Sequence, residues 1–132
     1  KTNILPRLDM NLASLIALKA EVGVDKIVQM NLAELDKLIK NLESIEGLVN
    51  SSMSIEDETT YLRKNFGVTY ETAGSVPVTL YLVAKYGHDI SLTLNAAAHV
   101  AVAGDADTIP AMVGSILGAL YGNTKFPAHW VE

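Results

Sequence analysis

Apolar residues recur at three- and four-residue steps along most of the chain, the spacing of helices that bury one face. The clearest stripe is Val28, Leu35, Leu38, Ile39, Leu42, Ile45 and Leu48, opened by Asp25, while Glu34, Asp36, Lys37, Lys40 and Glu43 occupy the other side. It predicts a long helix with a core face and a solvated face rather than a coiled-coil seam. An earlier helix is expected from a cap at Asp9 or Asn11, through Leu12, Leu15, Ile16 and Ala20, to a stop at Gly23. After the loop Asn50-Ser51-Ser52, Ser54 followed by Asp57 resembles a capping box. It predicts a short helix to about Asn65, stopped by Gly67. Val68-Thr69-Tyr70 reads as a brief extended piece. Ser75 is the expected cap of the next helix, with Pro77 in its first turn, where a missing N–H does no harm. That helix runs through Leu80, Val83 and Ala84 to Gly87. Asp89 or Ser91 opens another, through Leu94, Ala97, Ala98 and Val102 to Gly104, and the last spans from near Asp107 to near Gly122. No convincing pair of alternating strands, no repeat and no linker interrupts the pattern. The expected fold is all-α, a compact multi-helix bundle.

Composition narrows the function. Hydrophobic residues make up 49% of 132 residues and charged residues 19%, the balance of a globular chain with a real core. The formal net charge is −5, from 10 basic and 15 acidic residues, so the basic footprint needed for duplex nucleic acid is missing. There is no cysteine, hence no disulfide framework and no thiolate metal site, which suits a cytoplasmic protein. The most apolar region, Leu92 to Tyr121, is interrupted by Asn95, His99, Asp105, Asp107 and Pro110, so it reads as two buried helices joined by a polar elbow, not as a membrane span. The chain opens on Lys1 and closes on Trp130-Val131-Glu132 with no polar tail, as expected of a piece of something longer; trimming of a tag is the plainer alternative.

Most familiar chemical motifs are missing. His88, His99 and His129 have no metal-ligand spacing and read as ordinary surface or core histidines. Ser75 follows Gly74 but lacks the G-x-S-x-G context of a nucleophile elbow, and no phosphate-binding glycine loop exists. A calcium hand starting at Asp105 would place Pro110 where glycine is required. What remains is Gly104-Asp105-Ala106-Asp107-Thr108-Ile109-Pro110, with two carboxylates and a hydroxyl within four residues, between two apolar helices. Asp107 or Thr108 could simply cap the following helix. The second carboxylate fits that reading less well. Carboxylates two apart in a non-helical elbow can converge, and all-oxygen ligands suit Mg²⁺ or Mn²⁺ rather than zinc. The helix beyond has Gly114, Gly118 and Gly122 on one face, each costing about 1 kcal/mol relative to alanine if inside a helix. A close approach by another helix would offset that, so this helix is expected to be central and packed on both sides.

These residues together resemble a known family. Gly104-Asp105-Ala106-Asp107-Thr108-Ile109, followed by Gly114 and Gly118-Ala119-Leu120-Tyr121-Gly122, resembles the C-terminal signature of the ADP-ribosylglycohydrolases, which reads G-G-D-x-D-T-I and then a small-residue helix ending G-A-x-x-G. Glu71, Gly74, Ser75-Val76-Pro77, Tyr81-Leu82, Gly87 and Asn95 fit the approach to it, and Phe126-Pro127 with Trp130 fit the family's I-P-x-x-W close. The resemblance is clear from about residue 70 to 130 and treats 1–132 as the C-terminal portion of one larger domain.

The resemblance implies an all-α hydrolase with a pair of Mg²⁺ or Mn²⁺ ions. Such an enzyme cleaves ADP-ribose at C1″ from a modified protein or an ADP-ribose-containing small molecule. By resemblance Asp105, Asp107 and Thr108 are metal ligands, and no catalytic residue is assigned in this chain. Two departures stand out. Ala103 replaces the first glycine of the usual pair, and the family's Thr-Asp-Asp metal motif and upstream acidic residue have no counterpart here. Asp57 and Glu58-Thr59-Thr60 do not replace it, because their predicted polar helix reads as a solvated face. The chain is therefore expected to carry half of a two-metal site, to need a missing N-terminal half or partner chain, and to be inactive alone. The alternative is a non-catalytic module derived from the same fold, binding ADP-ribose or another protein.

Overall fold

The computed structural model of the chain describes residues 26–102 and 104–131, together with Ala13, Ser14 and Ala17, which are helical. The expected first helix from Asp9 or Asn11 to Gly23, the cap at Asp25 and the turn residue Ala103 lie outside the described residues. Helices α1 (Lys26–Leu48), α2 (Ile55–Asn65), α3 (Thr72–Tyr86), α4 (Ile90–Ala101) and α5 (Thr108–Tyr121) follow in order. A 3₁₀ turn (Asn123–Lys125) and the short α6 (Ala128–Val131) close the chain. No strand occurs among the described residues, and no helix there is long and apolar enough to cross a membrane. The all-α expectation holds.

Local chemistry sets the boundaries. Ser54 caps α2, accepting from the Asp57 N–H at 3.2 Å while its hydroxyl donates to the Asp57 carboxylate at 2.9 Å. Asp89 caps α4 by accepting from the Leu92 N–H at 3.0 Å. Both serve donors that have no partner within the helix. The start of α3 differs from expectation. Its cap is Glu71, and Ser75 sits within the first turn, its hydroxyl donating to the Glu71 carbonyl at 3.0 Å. Pro77 thus falls inside the helix, where it cannot donate to the carbonyl four residues back, that of Ala73. The buried Asn41 side chain of α1 supplies the missing donor, its Nδ2 lying 2.7 Å from the Ala73 oxygen. A buried carbonyl that a proline would have orphaned therefore becomes a contact between α1 and α3.

The central helix is α3, not α5 as the glycine spacing suggested. Helix α3 packs against α1, α4 and α5, and is buried nearly all round at Ala73, Pro77, Val78, Tyr81, Leu82 and Val83. The α1 stripe meets it through Ile39, Leu42 and Ile45. Helix α5 packs through Ile109, Val113 and Leu117 against α3 and α4, while Ala111, Ser115 and Ala119 are exposed. A side chain added at Gly114 would meet only Leu94, at 3.9 Å, and one at Gly118 would meet nothing within 4 Å. Among the described residues the helix is packed on one side, and no close backbone contact there accounts for these two glycines.

Candidate functional site

The polar elbow between α4 and α5 is anchored from below by the segment that follows α2. The Gly104 N–H donates to the Ala101 carbonyl at 3.0 Å, closing α4, and the next N–H, that of Asp105, donates to the Val68 carbonyl at 3.1 Å. A Cβ on residue 104 would lie 2.0 Å from that same carbonyl oxygen, so only glycine allows the approach. Val68-Thr69-Tyr70 forms no strand; Val68 adds a buried side chain to the core, and its carbonyl makes this backbone contact with the elbow. Gly74 plays the same part at the start of α3, where a Cβ would meet the Phe66 carbonyl oxygen at 2.5 Å. The two glycines let the end of α2 sit tightly against both α3 and the elbow.

The elbow brings its polar groups together. The Thr108 hydroxyl donates to the Asp105 carboxylate at 2.5 Å. Asp107 is the N-terminal flank of α5; its carbonyl accepts from the Ala111 N–H at 3.0 Å, but its side chain makes no cap bond to the helix. The plain-cap reading of Asp107 therefore fails, and its carboxylate is exposed. Asp105 is held below the ordinary carboxylate range, first by a hydrogen bond with the Asp107 side chain, then by the Thr108 hydroxyl and the backbone N–H groups of residues 107 and 108. Both aspartates sit at the start of α5, whose positive dipole end also favours an ionised Asp105. Asp105, Asp107 and Thr108, the three residues singled out in the sequence, share one small oxygen-lined corner.

The family model for ADP-ribosylglycohydrolases matches residues 10–132, nearly the whole chain. The chain belongs to the ADP-ribosylglycohydrolase family. Nothing among curated proteins matches it significantly, and neither does any solved structure. The family is one of hydrolases, and its match extends well before residue 70, where the signature resemblance starts, to include α1 and α2.

The three side chains offer only oxygen donors, two carboxylates and a hydroxyl, a set that suits a hard divalent cation. The set is also limited. Among the described residues no group of three or more histidine, aspartate or glutamate side chains gathers at one point. His88, His99 and His129 are all exposed, as expected of residues without ligand spacing.

Elsewhere the structure corrects the reading of α2. Asp57 and Thr60 are exposed, but Glu58 is 1% exposed and Thr59 is also buried. The Glu58 carboxylate accepts from the Tyr81 hydroxyl at 2.5 Å, from the Tyr86 hydroxyl at 2.8 Å and from the Lys85 ammonium. Burial, and then the bonds to Glu58, push both phenols well above their ordinary pKa. Glu58 is a structural anchor of α2 on α3, not part of a solvated face. One signal was available: Glu58, Leu62 and Phe66 lie four apart, so the carboxylate continues the apolar stripe. Arg63, on the same helix, escaped notice; its guanidinium donates to the carbonyls of His99 and Val100.

Between α3 and α5 lies an apolar groove of about 350 Å³, lined by Val76, Leu80, Ala111, Met112 and Ile116 among others. It begins at the first turn of α5, directly beyond the elbow.

Proposed function

We propose that this chain supplies one side of the divalent-metal site of an ADP-ribosylglycohydrolase, acting on ADP-ribose linked through C1″ to a protein or small-molecule acceptor. The observation that carries the reading is the convergence of Asp105, Asp107 and Thr108 on an elbow that Gly104 and Val68 hold in place. The two carboxylates and the hydroxyl would hold Mg²⁺ or Mn²⁺. Bound there, the ions would supply Lewis-acid polarisation for a water and for the ribose hydroxyls, at a reaction centre with oxocarbenium character. This chain's own part is electrostatic and positional. It presents two anionic carboxylates at a helix start and fixes their backbone with hydrogen bonds that require no reorganisation. The remaining ligands would come from further polypeptide, as a missing half of the domain or a partner chain. The open apolar groove and the uncovered small-residue face of α5, both beside the elbow, support a place for it.

A second reading has one observation in its favour. The Thr108–Asp105 bond satisfies part of the elbow internally, as a purely structural turn in a non-catalytic descendant would. Native mass spectrometry of the protein from its natural source separates the two. The hydrolase reading expects this chain in a species with further polypeptide and two divalent ions. A lone 14.2 kDa species without metal, and no release of ADP-ribose from an ADP-ribosylated peptide, would leave the structural reading.

A further inference from the structure

The elbow is held by more than its own residues, and the additional hold comes from α2. Arg63, in the last turn of α2, donates from Nε to the Val100 carbonyl at 2.9 Å and from a terminal guanidinium nitrogen to the His99 carbonyl. These carbonyls lie in the last turn of α4, where partners within the helix run out. The Gly104 N–H has turned to Ala101, three residues back, rather than to Val100. The guanidinium thus takes two adjacent carbonyls in one planar fork and places its positive charge at the negative end of the α4 dipole. Five residues on, Val68 accepts from Asp105. The same short stretch of chain therefore grips the elbow twice, once at the end of α4 and once at its first carboxylate residue. The far side of α2 is tied to α3 by the buried Glu58 cluster, so the stretch is itself fixed.

We propose that Arg63 is a positioning residue for the metal elbow. By fixing how α4 ends, it sets where the chain enters Gly104 and hence the convergence of Asp105, Asp107 and Thr108. The proposal rests on the metal reading above and deepens it. Lysine would keep the charge but offers no planar fork for two carbonyls; methionine keeps the stem and loses both bonds.

The test compares the wild-type chain with Arg63→Met, Arg63→Lys and, as a control for plain loss of stability, Ile45→Val in the α1–α3 core. Binding of Mn²⁺ is followed by electron paramagnetic resonance, and amide exchange by NMR without metal. Arg63→Met is expected to weaken Mn²⁺ binding about tenfold or more, with Arg63→Lys in between. It is also expected to speed exchange of the Gly104 and Asp105 amides about tenfold, leaving the α3 core amides alone. Ile45→Val lowers the melting temperature but leaves Mn²⁺ affinity within about twofold. Wild-type affinity and unchanged Gly104 and Asp105 exchange in both Arg63 variants overturn the proposal, as does an equal loss of affinity in Ile45→Val. If the wild type itself shows no saturable Mn²⁺ binding, the metal reading fails. The exchange data then decide Arg63 alone: acceleration confined to residues 104 and 105 supports the positioning role, and its absence rejects it.

Discussion

The chain places carboxylates in two opposite settings. At Glu58 the group is buried and both oxygens are taken, by two phenols and an ammonium. At the elbow, Asp105 and Asp107 lie near the surface; the Thr108 hydroxyl donates to Asp105, and no cation among the described residues forms an ion pair with either. A buried carboxylate with both oxygens hydrogen-bonded and an ammonium beside it is fixed structure, because losing a partner leaves an uncompensated charge out of water. Two carboxylates near the surface with no cation paired to them are not held by such a network, and they are the groups the proposed metal site would use. Position along the chain would have suggested otherwise, since Glu58 belongs to a mostly polar helix and Asp105 to the most apolar third of the sequence.

The contrast can be broken most forcefully at Glu58. Glu58→Ala should destabilise the fold by about 3–5 kcal/mol, measured by urea unfolding, because Lys85 and both phenols lose their shared acceptor. A loss below about 1 kcal/mol would make the cluster a surface ion pair in effect. The same cluster predicts an alkaline limit. The folded chain keeps the Tyr81 and Tyr86 protons that the unfolded chain releases near pH 10. The stability this confers is full below that pH and falls as pH rises above it, so melting temperature should decline from about pH 10 upward. Tyr81→Phe with Tyr86→Phe should flatten that decline.

Smaller effects test how the elbow is held. Gly104→Ala forces a methyl against the Val68 carbonyl and should cost about 1–3 kcal/mol, with the Asp105 amide losing its protection from exchange. Asn41→Leu should cost a similar or slightly smaller amount, about 1–3 kcal/mol, by leaving the Ala73 carbonyl buried without a donor. An unchanged Asn41→Leu would mean that water reaches that carbonyl. Asp107→Asn is expected to be nearly neutral, within about 0.5 kcal/mol, because its side chain caps nothing. A large loss there would return Asp107 to a scaffolding role.

Much of the fold was legible. The caps at Ser54 and Asp89, the α1 stripe and the boundaries of α5 follow from local chemistry, which short sequence spacing encodes. The position of the elbow was legible too, because two carboxylates and a hydroxyl interrupt the most apolar stretch between two helices. What the sequence hid depends on partners far along the chain. Pro77 can sit inside α3 only because Asn41, in another helix, answers Ala73. Glu58 is buried only because Tyr81, Lys85 and Tyr86 gather around it from α3. Glycine spacing pointed to α5 as the centre of the bundle, yet the tight approaches between separate elements are at Gly74 and Gly104, against the segment where α2 ends. A helical glycine signals possible closeness; it does not say whether the neighbour lies in the same chain.

The most direct measurement is Mn²⁺-induced broadening in a two-dimensional amide NMR spectrum of the chain. The account predicts saturable broadening at about millimolar Mn²⁺, the range of weak oxygen-ligand sites, centred on residues 104 to 108 and lost in Asp105→Asn, with the amides around Glu58 untouched. Broadening centred on Glu56 to Glu58, or broadening at the elbow that survives Asp105→Asn together with Asp107→Asn, would contradict it.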